Sequence, residues 1–130
     1  MGLPAAKFGD TVDSVDTHVV LVAAPGGAVP VPMEFPFSGK LTSTCSPDVL
    51  INGRPAAVVG SVAVNVPPHV PVGGTFAVPP TNVGTVTQGS PTVFINGLPA
   101  ARAGDTAATC NDPVPLPLGK VVAVSNVLIG

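Results

Sequence analysis

The sequence predicts an all-β fold in which three similar hairpin units close into a ring, and three observations predict it. First, Val49-Leu50-Ile51-Asn52-Gly53-Arg54-Pro55-Ala56-Ala57 returns as Val93-Phe94-Ile95-Asn96-Gly97-Leu98-Pro99-Ala100-Ala101. A third copy is divided between the two ends of the chain, closing as Asn126-Val127-Leu128-Ile129-Gly130 and opening as Gly2-Leu3-Pro4-Ala5-Ala6. A unit completed only by joining the ends requires a closed arrangement with residues 1 and 130 close together. Second, the apolar residues are mostly Val, stiff at χ1 and suited to pleated surfaces, and they fall in short runs between Pro and Gly. Third, Pro or Gly interrupts nearly every window long enough to hold a helix.

The elements follow in chain order. Pro4-Ala5-Ala6 opens the chain and runs into a Gly9-Asp10 turn, after which Val12–Val15 and His18–Val22 read as short strands. Gly39-Lys40 leads towards the first complete unit, whose Asn52-Gly53 dipeptide is a strong hairpin signal because its turn needs positive φ. Val58–Val64 carries the Gly60-Ser61 step and a further strand, and Val83-Gly84 with Thr85–Thr87 approaches the second unit. Val93–Ile95, Asn96-Gly97 and Gly104-Asp105 repeat the plan, and Gly119-Lys120 with Val121–Val124 approaches the split third. In each Gly-Asp step the carboxylate is positioned to bond local backbone amides. A generic β-solenoid or sandwich would not need its ends to complete a unit, and 17 prolines sit poorly in central strands.

Composition sets the remaining bounds. At 130 residues the chain is expected to form a single domain spanning 1–130, without a fused effector. Gly 15 and Pro 17 approach the composition of disordered chains. However, 45% hydrophobic residues, a mean hydropathy of +0.55 and regular Pro and Gly placement oppose disorder. Five basic residues and a net charge of −2 give no footprint for nucleic acid. No run of 18 apolar residues and no secretory signal are present.

The chain has two His and two Cys, and their placement points to a metal. His18 follows Asp10 by eight residues, His69 follows Ser61 by eight, and Cys110 follows Asp105 by five. Threefold equivalence would bring these three together on the axis. Cys45 precedes Ser46-Pro47 as Gly89 precedes Ser90-Pro91. His18, Cys45, His69 and Cys110 would form a closed tetrahedral Cys₂His₂ shell for one structural Zn²⁺, whose softness suits thiolate and imidazole. A Cys45–Cys110 disulfide is the alternative, although cysteine pairs without a secretory signal are more often reduced or metal-bound. No CxxC or HxxxH spacing exists, so repeat equivalence carries this reading.

These residues resemble the PAAR-repeat family, named for Pro-Ala-Ala-Arg. Pro99-Ala100-Ala101-Arg102-Ala103-Gly104-Asp105 is its motif in full, Pro4-Ala5-Ala6-Lys7-Phe8-Gly9-Asp10 a close variant, and Pro55-Ala56-Ala57-Val58-Val59-Gly60-Ser61 keeps the skeleton without Arg or Asp. The resemblance implies a small cone of β-hairpins with pseudo-threefold symmetry and an apex held by one zinc. Family shells commonly use three His and one Cys, and Met33 stands where some relatives carry a His.

The resemblance further implies a spike tip that caps the trimeric β-helical spike of a contractile injection machine. That machine would be a type VI secretion system, a phage tail or an extracellular phage-tail-like particle. One copy would dock on a homotrimeric spike protein through exposed strand edges at the cone base, with Arg54 and Leu98 at matching turn positions as candidate contacts. It would be made in the bacterial cytoplasm, carried at the tip, and meet the target membrane transiently while sharpening the spike for piercing. An adaptor that links separate effector cargo to the spike is the alternative. A zinc-dependent hydrolase would need an open coordination position and a base, and Asp13, Asp16 and Asp112 read more simply as solvated turn residues.

Overall fold

Asn52 and Asn96 take positive φ of 50° and 52°, followed by Gly53 at 80° and Gly97 at 79°. These pairs form the two-residue turn whose twist matches a right-twisted hairpin. The computed structural model describes residues 2–130, and all their regular elements are strands. They are β1 (Leu3–Pro4), β2 (Thr11–Ala24), β3 (Gly27–Ser43), β4 (Leu50–Ile51), β5 (Arg54–Pro55), β6 (Val62–Asn65), β7 (Gly74–Phe76), β8 (Val83–Val86), β9 (Phe94–Ile95), β10 (Leu98–Pro99), β11 (Thr106–Thr109), β12 (Leu116–Val122) and β13 (Leu128–Ile129).

Three minimal hairpins form the base: β4 with β5, β9 with β10, and, across the two ends of the chain, β1 with β13. The last pairs Leu3 with Ile129 and Pro4 with Leu128, so the split unit is closed as the repeat requires. Met1 lies outside the described residues. Above them three larger hairpins, β2/β3, β6/β8 and β11/β12, join edge to edge through β3–β6, β8–β11 and β12–β2. This closes a six-stranded ring.

The two tiers meet at a waist held by cyclic hydrogen bonds. Ala6 N–H donates to Ala101 O at 2.9 Å, Ala101 N–H to Ala57 O at 3.0 Å, and Ala57 N–H back to Ala6 O at 2.9 Å. The alanines of each motif divide between two cores. Ala5, Ala56 and Ala100 pack below with Ile51, Ile95 and Ile129. Ala6, Ala57 and Ala101 pack above with Val12, Phe37, Leu41, Val86 and Val121. All six alanines are at most 1% exposed. Three segments meeting on an axis leave room only for a methyl group, and larger side chains there cost roughly 1–3 kcal/mol through overpacking.

The duty of the motif's last residue is visible at the same level. Asp10 Oδ2 accepts from Lys7 N–H at 2.9 Å, and Asp105 Oδ2 from Arg102 N–H at 2.7 Å. In the unit that lacks the acid, Ser61 Oγ accepts from Val58 N–H at 2.9 Å. A hydroxyl therefore suffices to close the turn.

One element differs from expectation. The two short strands expected after Gly9-Asp10 are one strand, β2, paired along its whole length with β3 from Thr11–Lys40 to Ala24–Gly27. Pro30, Pro32 and Pro36 lie inside β3. Amides of a strand alternate between its two edges. Ser38, of the same parity as those prolines, directs its N–H away from β2 to Asn65 Oδ1 at 3.0 Å. The prolines thus occupy positions whose N–H would point outward, and β2 loses no bond to them.

Candidate metal centre

β2 exposes and buries alternate side chains, so Asp16 and His18 face inward together. The tops of β6 and β11 lead into His69 and Cys110 at the same end of the ring, away from the small hairpins. The ligand atoms of Asp16, His18, His69 and Cys110 all lie within 4.8 Å of one another. His69 Nε2 is 3.0 Å from Asp16 Oδ2, Cys110 Sγ is 3.3 Å from the same oxygen, and Cys110 Sγ is 3.6 Å from His18 Nε2. Asp16 is 0% exposed and His18 1%.

The surroundings orient these groups. His18 Nδ1 faces Asp112 Oδ1 at 3.4 Å, and Asp112 Oδ2 accepts from Val19 N–H at 2.9 Å. Thr109 Oγ1 donates to the second oxygen of Asp16. His69 Nδ1 stands 3.3 Å from the Asn65 amide nitrogen. Phe35, Phe37 and Phe76 pack around the two imidazoles at ring separations between 5.4 and 6.1 Å, which keeps the dielectric low. Burial and the neighbouring Asp16 carboxylate push the Cys110 thiol up to about 11.

The donor set fits a transition metal. Four donors bonded tetrahedrally at about 2.0–2.3 Å stand roughly 3.3–3.8 Å from one another; two of the three short contacts, at 3.3 and 3.6 Å, fall in that range and the third, at 3.0 Å, lies just below it. One thiol, two imidazoles and one carboxylate would form a complete four-donor shell, walled by the aromatic rings. When bound, the ion would cross-link β2, the segment after β6 and the end of β11, where a narrow apex has no space for an apolar core.

His18, His69 and Cys110 are thus brought together as repeat equivalence placed them. Cys45 stands elsewhere. It follows the bottom of β3, at the waist, its Sγ 3.9 Å from Ser43 O, and is followed by Ser46, whose N–H reaches Ala56 O. Both cysteines are free thiols. Asp16 occupies the place expected of Cys45, so it is not a solvated turn residue. Asp112 is partly buried against His18 as well, whereas Asp13 is exposed and bonds Ser38. The signal for Asp16 was its i, i+2 spacing from His18, legible only once a continuous strand is assumed. Met33 lies directly opposite His18 in the β2–β3 register. Arg54 and Leu98 begin β5 and β10, matching Leu3 of β1, and all three are exposed.

The Cys45 thiol has a testable pH dependence. Partial burial raises the Cys45 thiol above its ordinary value, and the thiolate is the reactive form. Iodoacetamide should therefore modify Cys45 more slowly at pH 7.5 than it modifies a free thiol. The rate should rise about tenfold per pH unit until the raised pKa is passed. Mass mapping of a pH series would reveal a flat profile if Cys45 were instead held as thiolate by a metal.

A closed ring of three hairpin units beneath a buried Asp-His-His-Cys cluster defines a metal-competent, pseudo-threefold cone. The PAAR motif model matches residues 37–115 and 77–130, and the chain belongs to the PAAR-motif family. The match supports a spike-tip protein of contractile injection systems in general, in a family that is structural rather than enzymatic. No curated protein matched the chain.

Proposed function

We propose that one copy of this protein caps the end of a homotrimeric β-helical spike and presents a stiff apex held by one structural Zn²⁺ on Asp16, His18, His69 and Cys110. The observation that carries this reading is the threefold set of exposed apolar residues on the small hairpins. Leu50, Phe94 and Leu128 begin β4, β9 and β13 and are 59%, 58% and 64% exposed. An apolar triangle repeated around an axis fits a threefold partner as a whole, in one copy, through strand edges and side-chain contacts. Sheath contraction in a type VI system, phage tail or extracellular particle would supply the force for membrane piercing. The protein would leave the cytoplasm with the spike. A hydrolase reading lacks support, because four donors close the shell and Asp112 is already engaged by Val19 and His18.

Co-purification with a trimeric spike protein tests the proposal, with an expected stoichiometry of 1:3. Leu98→Glu should abolish the complex, while Val29→Ser on the exposed β2–β3 tip should keep it. A 3:3 complex, or binding lost on the tip substitution, would favour the adaptor that carries separate effectors.

A further inference from the structure

The three seams between the tiers are equivalent in backbone and unequal in charge. In the first, Phe8 N–H reaches Pro55 O and Gly9 N–H reaches Leu41 O; in the second, Val59 reaches Pro99 and Gly60 reaches Val86; in the third, Ala103 reaches Pro4 and Gly104 reaches Val121. The residues just before these acceptors are Arg54 and Lys40, then Leu98 and Thr85, then Leu3 and Lys120. The second seam is uncharged. In the third, Arg102 is committed to Asp105 at 2.7 Å and to Gly130 O at 3.1 Å.

Among the described residues, only the first seam gathers three cations. Lys7, Lys40 and Arg54 line a cleft of about 330 Å³ with Phe8, Gly9 and Asp10. Lys7 pairs with Asp10 at 3.0 Å, whereas Lys40 and Arg54 form no ion pair among the described residues. A Cβ placed on Gly9 would stand 3.1 Å from Arg54 Nη1, so the guanidinium is packed over the turn. Phe8 adds an exposed aromatic face at 36%. On a chain of net charge −2, this patch is too small for a polyanion such as nucleic acid.

We propose that this seam docks an acidic segment of a partner protein present in one copy. Carboxylates would meet Arg54 and Lys40, and an apolar neighbour would cover Phe8. A threefold partner meets all three seams alike, so a feature built into one of them suits a single-copy ligand on the flank of the cone. Arg54 begins β5 and so borders the base assigned to the spike, whereas Lys40 stands on β3, off the small hairpins; at Lys40 either assignment can fail without the other.

Fluorescence anisotropy with a fluorescein-labelled hexaglutamate peptide tests it on the intact protein at low salt. Saturable 1:1 binding is expected. Exposed charge pairs contribute little singly, so Lys40→Glu or Arg54→Glu should weaken binding about threefold and the double variant about tenfold, with melting temperatures unchanged. Lys120→Glu makes the same charge change on another seam and should have less than a twofold effect. Equal weakening by Lys120→Glu would overturn the site as non-specific attraction. Displacement by inorganic phosphate beyond that of sodium chloride at equal ionic strength would also overturn it, in favour of a small-anion site. Arg54 adjoins the base turn, so Lys40→Glu is decisive: it should leave a 1:3 spike complex intact, and loss of that complex would make the seam part of the base.

Discussion

Cys110→Ala should purify with no bound zinc and melt more than about 10 °C below the parent protein, whose metal content should be about one ion per chain. Removing the thiol leaves the buried Asp16 carboxylate one hydrogen bond short, which costs about 1–3 kcal/mol or more for a charged group. Each kcal/mol lowers the Tm of a domain of this size by several degrees. Loss of the ion adds its binding free energy to that deficit. Asp16→Asn keeps the shape of the side chain and removes its charge, so it should weaken metal retention with less disturbance of packing. Cys45→Ala should keep one ion per chain. Elemental analysis and calorimetry on the three variants decide between donor sets. Metal lost with Cys45 and kept without Asp16 would return the shell to two thiols and two imidazoles.

Deletion of residues 127–130 should abolish cooperative folding. It removes β13, the partner of β1, and the Val127 carbonyl that Ala5 N–H reaches at 2.8 Å. It also removes Ile129, one of the three isoleucines of the lower core, and Gly130 O, which accepts from Ser90 Oγ and Arg102. Burying one large aliphatic side chain stabilises by about 1.5–3 kcal/mol. Together with the lost strand pairing this approaches the whole stability of a domain of this size. The expected readout is loss of the thermal transition in circular dichroism. A truncated protein that melts like the intact one would refute ring closure.

How far the sequence disclosed this arrangement depended on distance along the chain. The Asn-Gly turns, the PAA units and the closure of Leu3 on Ile129 are local or repeated, so their period revealed them. Three donors follow from the same period, because each lies five to eight residues beyond an equivalent turn. Cys45 misled for a physical reason: its match to Gly89 is genuine, but that position belongs to the waist. There a Cβ on Gly89 would come within 2.8 Å of Ala100 O. Asp16 is hidden in the sequence because it falls between the apolar runs Val12–Val15 and His18–Val22, which the structure joins into one strand. The long partner β3 was hidden by its prolines, whose tolerance depends on which edge each amide faces.

The closed ring of hairpins also decides how the molecule carries load. Its strands run from waist to apex, and their hydrogen bonds lie across that direction. A thrust along the axis therefore acts on every rung of a ladder at once, in shear, rather than peeling rungs apart in succession from a free edge. The hydrogen-bonded triangle of Ala6, Ala57 and Ala101 acts as a hoop, so lateral spreading of one hairpin is resisted by the other two.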